Sequence, residues 1–172
     1  TLLRGICPSD LKVPLEEFQK AGAAVDADEK NRQIRICMGK RPLPLLIKTE
    51  PYPGFPTDLQ SPFMAFLATA QGTSYIEEQV FEGRFATAKI LEQMGAVIRT
   101  EDQRAVIEGH YPLKGAAVNA CDLRGGAALM VAALAAEGDT FIGECHHIER
   151  GYEDICRDMA ALGAHIRWGG KD

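Results

Sequence analysis

The segment Leu91-Glu92-Gln93-Met94-Gly95-Ala96-Val97-Ile98 carries a pattern that occurs three times in this chain. The other copies are residues 18–25, FQKAGAAV, and residues 159–166, MAALGAHI. In each copy apolar side chains precede the glycine by one and four positions, on one face of a helix that the glycine ends. A branched apolar residue follows the glycine by three positions and opens a strand. The pattern therefore predicts three helix-to-strand junctions.

Alternating runs follow the first two copies. They are Gln33-Ile34-Arg35-Ile36-Cys37 and Arg104-Ala105-Val106-Ile107-Glu108. Alternation of apolar and polar residues is typical of a strand with one buried face. These runs predict the return strands of two hairpins.

A second pattern lies upstream of each of the later junctions. An apolar helix is predicted to begin at residues 57–60, TDLQ, and to end at Gly72. Another is predicted to begin at residues 121–124, CDLR, and to end at Gly138. A strand is expected directly after each of these glycines.

Together the patterns predict an α/β fold of repeated βαβαββ units. We expect residues 1–172 to form a single domain, with a partial unit over residues 1–50, a second unit over residues 51–115 and a third over residues 116–172. Each unit covers the apolar face of its neighbour, which places the helices inside and the sheets outside, as in an inside-out barrel.

Composition limits the classes of function. The 172 residues include 46% apolar residues, enough for a core, and carry a net charge of −5. No run of basic residues suggests a nucleic-acid surface, and no apolar stretch is long enough to span a membrane. Five cysteines without a paired spacing suggest free thiols in the cytoplasm. Because the chain opens without a methionine, we expect it to be a piece of a longer protein.

The stretch Tyr52-Pro53-Gly54-Phe55-Pro56-Thr57-Asp58-Leu59-Gln60 places a carboxylate at the start of the second predicted helix. Thr57 and Gln60 match a capping box, while Pro62 predicts an irregular helix start. Two interpretations of Asp58 remain open: it complements the helix dipole, or it serves as a functional carboxylate held by a rigid loop.

Two acids and two arginines occupy equivalent places in successive units. Asp58 and Asp122 begin the two apolar helices, and Arg84 and Arg150 each follow a strand by the same spacing. We expect these four residues to meet at one end of the domain. Arginines at helix N-termini would suit phosphate or carboxylate groups, although a purely structural role is the alternative.

Other residues give weaker signals. The run Cys145-His146-His147 lacks further ligands at metal-like spacing, so no metal site is expected. Cys121 is interpreted as a buried thiol rather than a nucleophile. Gly125 and Gly126 are expected to allow close approach of a helix to its neighbour. Arg124 pairs with Asp122, binds a ligand or lies on the surface. A solvated strand face is predicted for three acidic residues: Glu77, Glu78 and Glu82.

Four motifs resemble the C-terminal part of proteins of the UDP-N-acetylglucosamine enolpyruvyl transferase family. They are residues 53–60, PGFPTDLQ; residues 78–85, EQVFEGRF; residues 120–124, ACDLR; and residues 147–153, HIERGYE. The resemblance extends from about Pro8 to Arg167. It implies an enzyme without a cofactor that moves the enolpyruvyl group of phosphoenolpyruvate to the 3-hydroxyl of UDP-N-acetylglucosamine, in peptidoglycan synthesis, and releases phosphate.

The resemblance also implies residue roles. Asp58 matches the general base that contacts the sugar hydroxyl, and Val80 matches a backbone contact to the nucleotide sugar. Arg84 and Arg150 match arginines that bind phosphoenolpyruvate. A supporting pair near the same centre is formed by Asp122 and Arg124.

Two parts of the family's active site have no match here. The loop with the cysteine proton donor and a Lys-Asn pair belong to the family's other globular domain, so an N-terminal domain is the expected partner. We therefore expect the isolated chain to lack transferase activity and to bind UDP-N-acetylglucosamine weakly. The alternatives are a shikimate-pathway enolpyruvyl transferase and a non-catalytic nucleotide-sugar-binding module of the same fold. The RNA 3′-phosphate cyclase group shares the architecture, but the acidic charge disfavours it.

Overall fold

The computed structural model describes residues 1–169, which form a mixed α/β fold. The strands are β1 (Leu2–Arg4), β2 (Ala24–Asp28), β3 (Gln33–Cys37), β4 (Leu46–Lys48), β5 (Thr73–Glu77), β6 (Val97–Glu101), β7 (Arg104–Glu108), β8 (Leu113–Lys114), β9 (Ala117–Asn119), β10 (Ala136–Glu137) and β11 (Phe141–Gly143). The helices are α1 (Lys12–Lys20), α2 (Gln60–Leu67), α3 (Ala86–Gln93), α4 (Leu123–Leu134), α5 (His146–Glu149) and α6 (Ile155–Ala161). Short 3-10 turns precede α1 and α2, at Pro8–Leu11 and Thr57–Leu59.

The three repeated glycines end helices in the same way. Gly22, Gly95 and Gly163 have φ angles of 99°, 85° and 97°, in the left-handed region where a side chain is strained. In each case the amide after the glycine donates to the carbonyl five positions earlier, which is a Schellman motif. The three bonds join Ala23 to Phe18, Ala96 to Leu91 and Ala164 to Met159. The predicted helix ends are therefore confirmed.

The sheets repeat as well. One sheet has the order β1-β3-β2, and the next has the order β4-β5-β7-β6. In both, the return strand lies in the middle and is antiparallel to its neighbours. The predicted return strands match β3 and β7 residue for residue. The unit boundaries after residues 50 and 115 remain predictions.

The third copy departs from the pattern at its strand. Strands β9 and β11 pair in parallel, as β4 and β5 do. However, residues 164–169 have no regular secondary structure, so the strand predicted around Ile166 is wrong. In the earlier copies this strand pairs with a return strand, and residues 1–169 contain no such partner for the third copy.

The two apolar helices end earlier than predicted. Helix α2 ends at Leu67 rather than Gly72, and the Arg41 guanidinium binds the carbonyls of Thr69 and Ala70 just beyond its end. Helix α4 ends at Leu134 rather than Gly138, because the next residues form β10 and pair in parallel with β8. The strand expected directly after Gly138 begins only at Phe141.

The core lies between the helices and the inner face of the β4-β5-β7-β6 sheet. Helix α2 packs along α4, and α3 contacts both helices. Met64 and Leu67 of α2 and Leu129 of α4 are fully buried, and so are Ile76 and Ile107 of the sheet. The helices therefore lie inside and the sheet outside, as predicted, although no sheet within residues 1–169 closes into a barrel.

Candidate functional site

Asp58 lies on the 3-10 turn that precedes α2. The irregular start predicted from Pro62 is confirmed, but the capping box is wrong, because no side chain caps this helix. The Thr57 hydroxyl instead donates to Glu78 Oε2 at 2.9 Å. Gln60 is buried, and its Oε1 accepts a hydrogen bond from Ser61.

An ion pair joins Asp58 to α4. Arg124 Nε donates to Asp58 Oδ1 at 2.5 Å, and Arg124 belongs to the first turn of that helix. The Asp58 side chain remains 67% exposed, against 31% for Arg124. The pair thus fixes the direction of a carboxylate that is still open to a ligand.

Asp122 has a different environment from Asp58. It is the N-cap of α4, and its Oδ1 accepts the Gly125 amide at 2.7 Å. This confirms the predicted helix start. The Asp122–Arg124 pairing, one of the alternatives considered for Arg124, is not observed, because the carboxylate caps the helix and the guanidinium contacts Asp58 instead.

The start of α4 is the meeting point of three helices. A Cβ on Gly125 would lie 2.9 Å from Thr87 Oγ1 of α3, and a Cβ on Gly126 would lie 2.5 Å from Ile148 Cγ1 of α5. Side chains at these positions would collide with their neighbours. The prediction that the two glycines allow close helix approach is confirmed.

Arg84 lies two residues before α3, on the loop that follows β5. Its guanidinium carbon is 4.4 Å from the centre of the Phe81 ring, an arrangement typical of a cation–π contact. Thr87 in the first turn of α3 lies next to Gly125, so the loop that carries Arg84 approaches the start of α4.

The segment that carries Arg150 approaches the start of α4 from α5. Arg150 is exposed at the C-cap of α5, and a Cβ on the next residue, Gly151, would lie 2.6 Å from Leu123 Cδ1. Arg84 precedes the N-terminus of a helix, as predicted, whereas Arg150 lies at the C-terminus of α5. The prediction that Arg150 lies at a helix N-terminus is therefore wrong. Helix α5 lies between β11 and α6 and has no counterpart in the second copy.

Val80 and Glu78 lie on the loop that carries Arg84. The Val80 amide donates to Glu78 Oε1 at 3.0 Å. The predicted solvated face is wrong for Glu78, which is 1% exposed. The sequence held a signal for this burial, since Ser74 and Ile76 are also buried and Glu78 continues their alternation. Glu77 faces the other way and pairs with Lys48 at 3.1 Å.

The cysteines are all free. Cys121 is exposed beside α4, so the prediction of a buried thiol is wrong there. Burial raises the pKa of the Cys145 thiol, and the Glu149 and Glu144 carboxylates raise it further. Burial also raises the pKa of Cys156, with a further contribution from a nearby aspartate.

The described part of the chain contains neither a metal-binding cluster nor a membrane-spanning helix. Among residues 1–169, no three His, Cys, Asp or Glu side chains cluster in a way that would hold a metal ion. His146 and His147 stack their rings with centres 4.0 Å apart. None of the helices in this part of the chain is both long and apolar enough to cross a membrane.

These contacts place the exposed Asp58 carboxylate and Arg124 at the start of α4, and they bring the chain segments that carry Arg84 and Arg150 close to it. A carboxylate can take a proton from a hydroxyl group within hydrogen-bond reach. Guanidinium groups and a helix N-terminus bind anionic oxygens. The arrangement suits a reaction between an alcohol and a phosphate or carboxylate compound.

Comparisons with known proteins agree over most of the chain. Residues 3–159 match the family described as EPSP synthase (3-phosphoshikimate 1-carboxyvinyltransferase). The UDP-N-acetylglucosamine 1-carboxyvinyltransferase of Desulfofundulus thermocisternus is 46% identical over 165 residues, which is 96% of this chain. The UDP-N-acetylglucosamine 1-carboxyvinyltransferase 2 of Carboxydothermus hydrogenoformans is 50% identical over the same share.

The fold comparison gives the same result. The crystal structure of the enolpyruvyl transferase NikO from Streptomyces tendae superposes with a TM-score of 0.86 at 30% identity and covers 96% of this chain. The chain spans 67% of the D. thermocisternus relative, but 39% of the C. hydrogenoformans relative and 39% of NikO. The resemblance inferred from the motifs is therefore confirmed.

Proposed function

We propose, from the premise that this chain belongs to the EPSP synthase family of carboxyvinyltransferases, that it forms part of a UDP-N-acetylglucosamine 1-carboxyvinyltransferase. Such an enzyme moves the enolpyruvyl group of phosphoenolpyruvate to the 3-hydroxyl of UDP-N-acetylglucosamine, releases phosphate and commits the sugar to peptidoglycan synthesis. The observation that carries the proposal is the exposed Asp58 carboxylate, held by Arg124 where α2 meets α4.

Asp58 is proposed as the general base. Its carboxylate would accept the proton of the sugar 3-hydroxyl while that oxygen attacks the central carbon of phosphoenolpyruvate. A base must lie within hydrogen-bond reach of the proton that it takes, and the bond from Arg124 restricts the directions that the carboxylate adopts. Asp122 supports this arrangement indirectly, since it caps the helix that presents Arg124.

Arg84 and Arg150 are proposed to bind phosphoenolpyruvate. Both lie on segments that pack against the start of α4, and Arg150 is exposed there. Guanidinium groups bind phosphate and carboxylate oxygens with fixed geometry and would stabilise the negative charge of a tetrahedral intermediate. Val80, on the Arg84 loop, is proposed to contact the nucleotide sugar through its backbone.

The reaction also requires a proton for the terminal carbon of phosphoenolpyruvate. We propose that this proton comes from a cysteine loop on an N-terminal domain that joins the present chain in the complete enzyme. The greater length of the relatives supports this division. The proposed location is the cytoplasm, in keeping with the five free cysteines.

A phosphate-release assay tests the division of labour. We expect the isolated chain, supplied with both substrates, to give no turnover above background, and the complete protein to release one phosphate per enolpyruvyl group transferred. Normal turnover by the isolated chain would overturn the proposed two-domain site.

The shikimate-pathway reaction is the second candidate, because the matched family is named for it. The identities of 46% and 50% to UDP-N-acetylglucosamine enzymes favour the sugar nucleotide. A thermal-shift experiment on the complete protein separates the two. We expect stabilisation by UDP-N-acetylglucosamine and none by shikimate 3-phosphate, and the reverse result would select the second candidate. A protein that binds the nucleotide but never releases phosphate would instead be the non-catalytic module.

A further inference from the structure

Glu78 is a buried carboxylate to which the proposed reaction assigns no task. It directly follows β5, and its side chain continues the inward alternation of that strand. A carboxylate that is 1% exposed is costly to bury unless hydrogen bonds satisfy its oxygens. Its partners therefore indicate what it holds.

The two oxygens of Glu78 bind different loops. Oε1 accepts the amides of Val80 and Phe81, at 3.0 and 3.1 Å. Oε2 accepts the Thr57 hydroxyl at 2.9 Å. Thr57 directly precedes Asp58, while Val80 and Phe81 lead to Arg84. One side chain thus bridges the loop of the proposed base and the loop of a proposed anion-binding arginine.

The loop of Val80 depends on side chains for its position. The Gln79 amide donates to Thr49 Oγ1 at 2.9 Å, and the next two amides donate to Glu78. Strand pairing ends before this loop, since the last pair of β5 and β7 joins Glu77 to Arg104. Regular sheet hydrogen bonds therefore do not fix the loop, whereas Glu78 and Thr49 do.

We propose that Glu78 is a positioning residue that sets the separation of the Asp58 loop and the Val80–Arg84 loop. Its bridging role stands on the contacts given above, and only its consequence for the substrates rests on the proposed function. Substrates held by both loops would need this separation to be fixed before they bind, because positional errors of about 1 Å reduce catalytic rates severely.

The chemistry of two substitutions separates charge from geometry. Glu78→Ala leaves two backbone amides and one hydroxyl without their acceptors inside the protein. Glu78→Gln keeps the shape: its oxygen can accept both amides, and its NH2 group can donate to Thr57 Oγ1. We therefore expect Glu78→Gln to retain most of the loop positioning that Glu78→Ala loses.

The test is amide hydrogen exchange in this chain, with Leu59 as the reporter. The Leu59 amide donates to the Pro56 carbonyl and makes no bond to Glu78, so a change there reports movement of the Asp58 loop. In Glu78→Ala we expect the Leu59 amide to exchange about tenfold faster, relative to the amides of β7. This factor corresponds to the loss of roughly one net hydrogen bond. Glu78→Gln should stay within about threefold of wild type, the effect of a fraction of one hydrogen bond.

Two further variants keep the test decisive. Glu77→Gln removes a carboxylate charge one position away, on the opposite face of the strand, and should leave the exchange rate of the Leu59 amide unchanged. Thr57→Val breaks only the bridge and should accelerate Leu59 as much as Glu78→Ala, with no added effect in the double variant. If Glu78→Ala does not fold, Thr57→Val alone still tests the proposal. Unchanged Leu59 exchange in Thr57→Val, or additive effects in the double variant, would overturn the proposal.

A titration with UDP-N-acetylglucosamine then reports the consequence. If the proposed function holds, Glu78→Ala should weaken the affinity of this chain for the nucleotide by about tenfold or more, the loss of one or two polar contacts, and Glu78→Gln should restore it. If wild-type chain shows no binding at all, the proposed function fails. The exchange result still decides whether Glu78 positions the two loops.

Discussion

At the scale of single residues, Asp58 and Arg124 stand 66 positions apart in the chain and meet as an ion pair. Pairs as exposed as this one contribute about 0–1 kcal/mol to folding, so stability gives little reason for these residue types. Their main effect is to hold a carboxylate in one direction at the surface. The dipole interpretation of Asp58 explains less, because the carboxylate is bound by a different helix from the one that it precedes.

The first prediction concerns Asp58 itself. Asp58→Asn keeps the size of the side chain but removes its capacity to take a proton. We expect phosphate release by the complete protein to fall about 10²- to 10⁴-fold, the usual contribution of a general base, with little change in thermal stability. Asp26→Asn, an exposed change on β2, is the matched control. Equal turnover in both variants would remove Asp58 from the mechanism.

The second prediction concerns Cys145 and Cys156, whose pKa values are raised. In the folded chain these thiols keep their protons to a higher pH than in the unfolded chain, so stability is lost as pH rises above the ordinary thiol pKa of about 8.5. Denaturant titrations from pH 7 to 10.5, in about half-unit steps, check this prediction. The double variant Cys145→Ser, Cys156→Ser should lose less stability over that range, and an identical loss would contradict the prediction.

At the scale of elements, the repeated glycines explain why the helix ends were predictable. A residue with φ near +85° to +99° ends a helix by local geometry, so the sequence alone marks it. The ends of α2 and α4 were less predictable. A guanidinium from Arg41 and a strand pair with β8 determine the chain after these helices, and both partners are distant in sequence.

The third prediction tests a repeated helix end. Gly95→Ala places a Cβ at φ 85° with no close neighbour, so the cost is backbone strain of about 1 kcal/mol. Urea unfolding monitored by circular dichroism measures the change in free energy of unfolding. Gly39→Ala, where φ is not positive and a Cβ meets nothing within 4 Å, should change it by less than about 0.5 kcal/mol. Equal effects of the two substitutions would contradict the assignment.

The fourth prediction tests close helix approach at the site. Gly126→Ala would place a Cβ 2.5 Å from Ile148 Cγ1 and should destabilise the fold by about 1–3 kcal/mol through overpacking. Combining it with Ile148→Ala, which removes both the Cγ1 and the Cδ1 atoms that face the new Cβ, should cost less than the sum of the two single losses. Strictly additive losses in an unfolding experiment would show that the two residues do not oppose each other.

The sequence predicts the members of the candidate site, but it does not predict their contacts. Asp58, Arg84, Asp122 and Arg124 follow from the repeat and the motifs, because each lies at a fixed place in a local pattern. The partner of Arg124 and the burial of Glu78 were missed, since both depend on how α2, α4 and the β5 loop approach one another. Charged residues are mostly exposed, and that general rule outweighed the alternation that pointed Glu78 inward.

At the scale of the whole molecule, the start of α4 joins the parts of the site. Segments from α3, α5 and the 3-10 turn before α2 meet there, and each brings a proposed functional residue. The family membership relates this arrangement to the proposed enolpyruvyl transfer. The proton donor that the proposed reaction also needs is the part that we assign to another domain.

Our main proposal is that this chain forms the acceptor side of an enolpyruvyl transferase site. It can be tested by following the amide chemical shifts of the ¹⁵N-labelled chain during titration with UDP-N-acetylglucosamine to about 10 mM, because this method detects binding in the millimolar range. We expect saturable shifts of the Asp58, Val80 and Arg124 amides, and we expect these shifts to be lost in Asp58→Ala. Shifts confined to other surfaces, or no shifts at all, would contradict it.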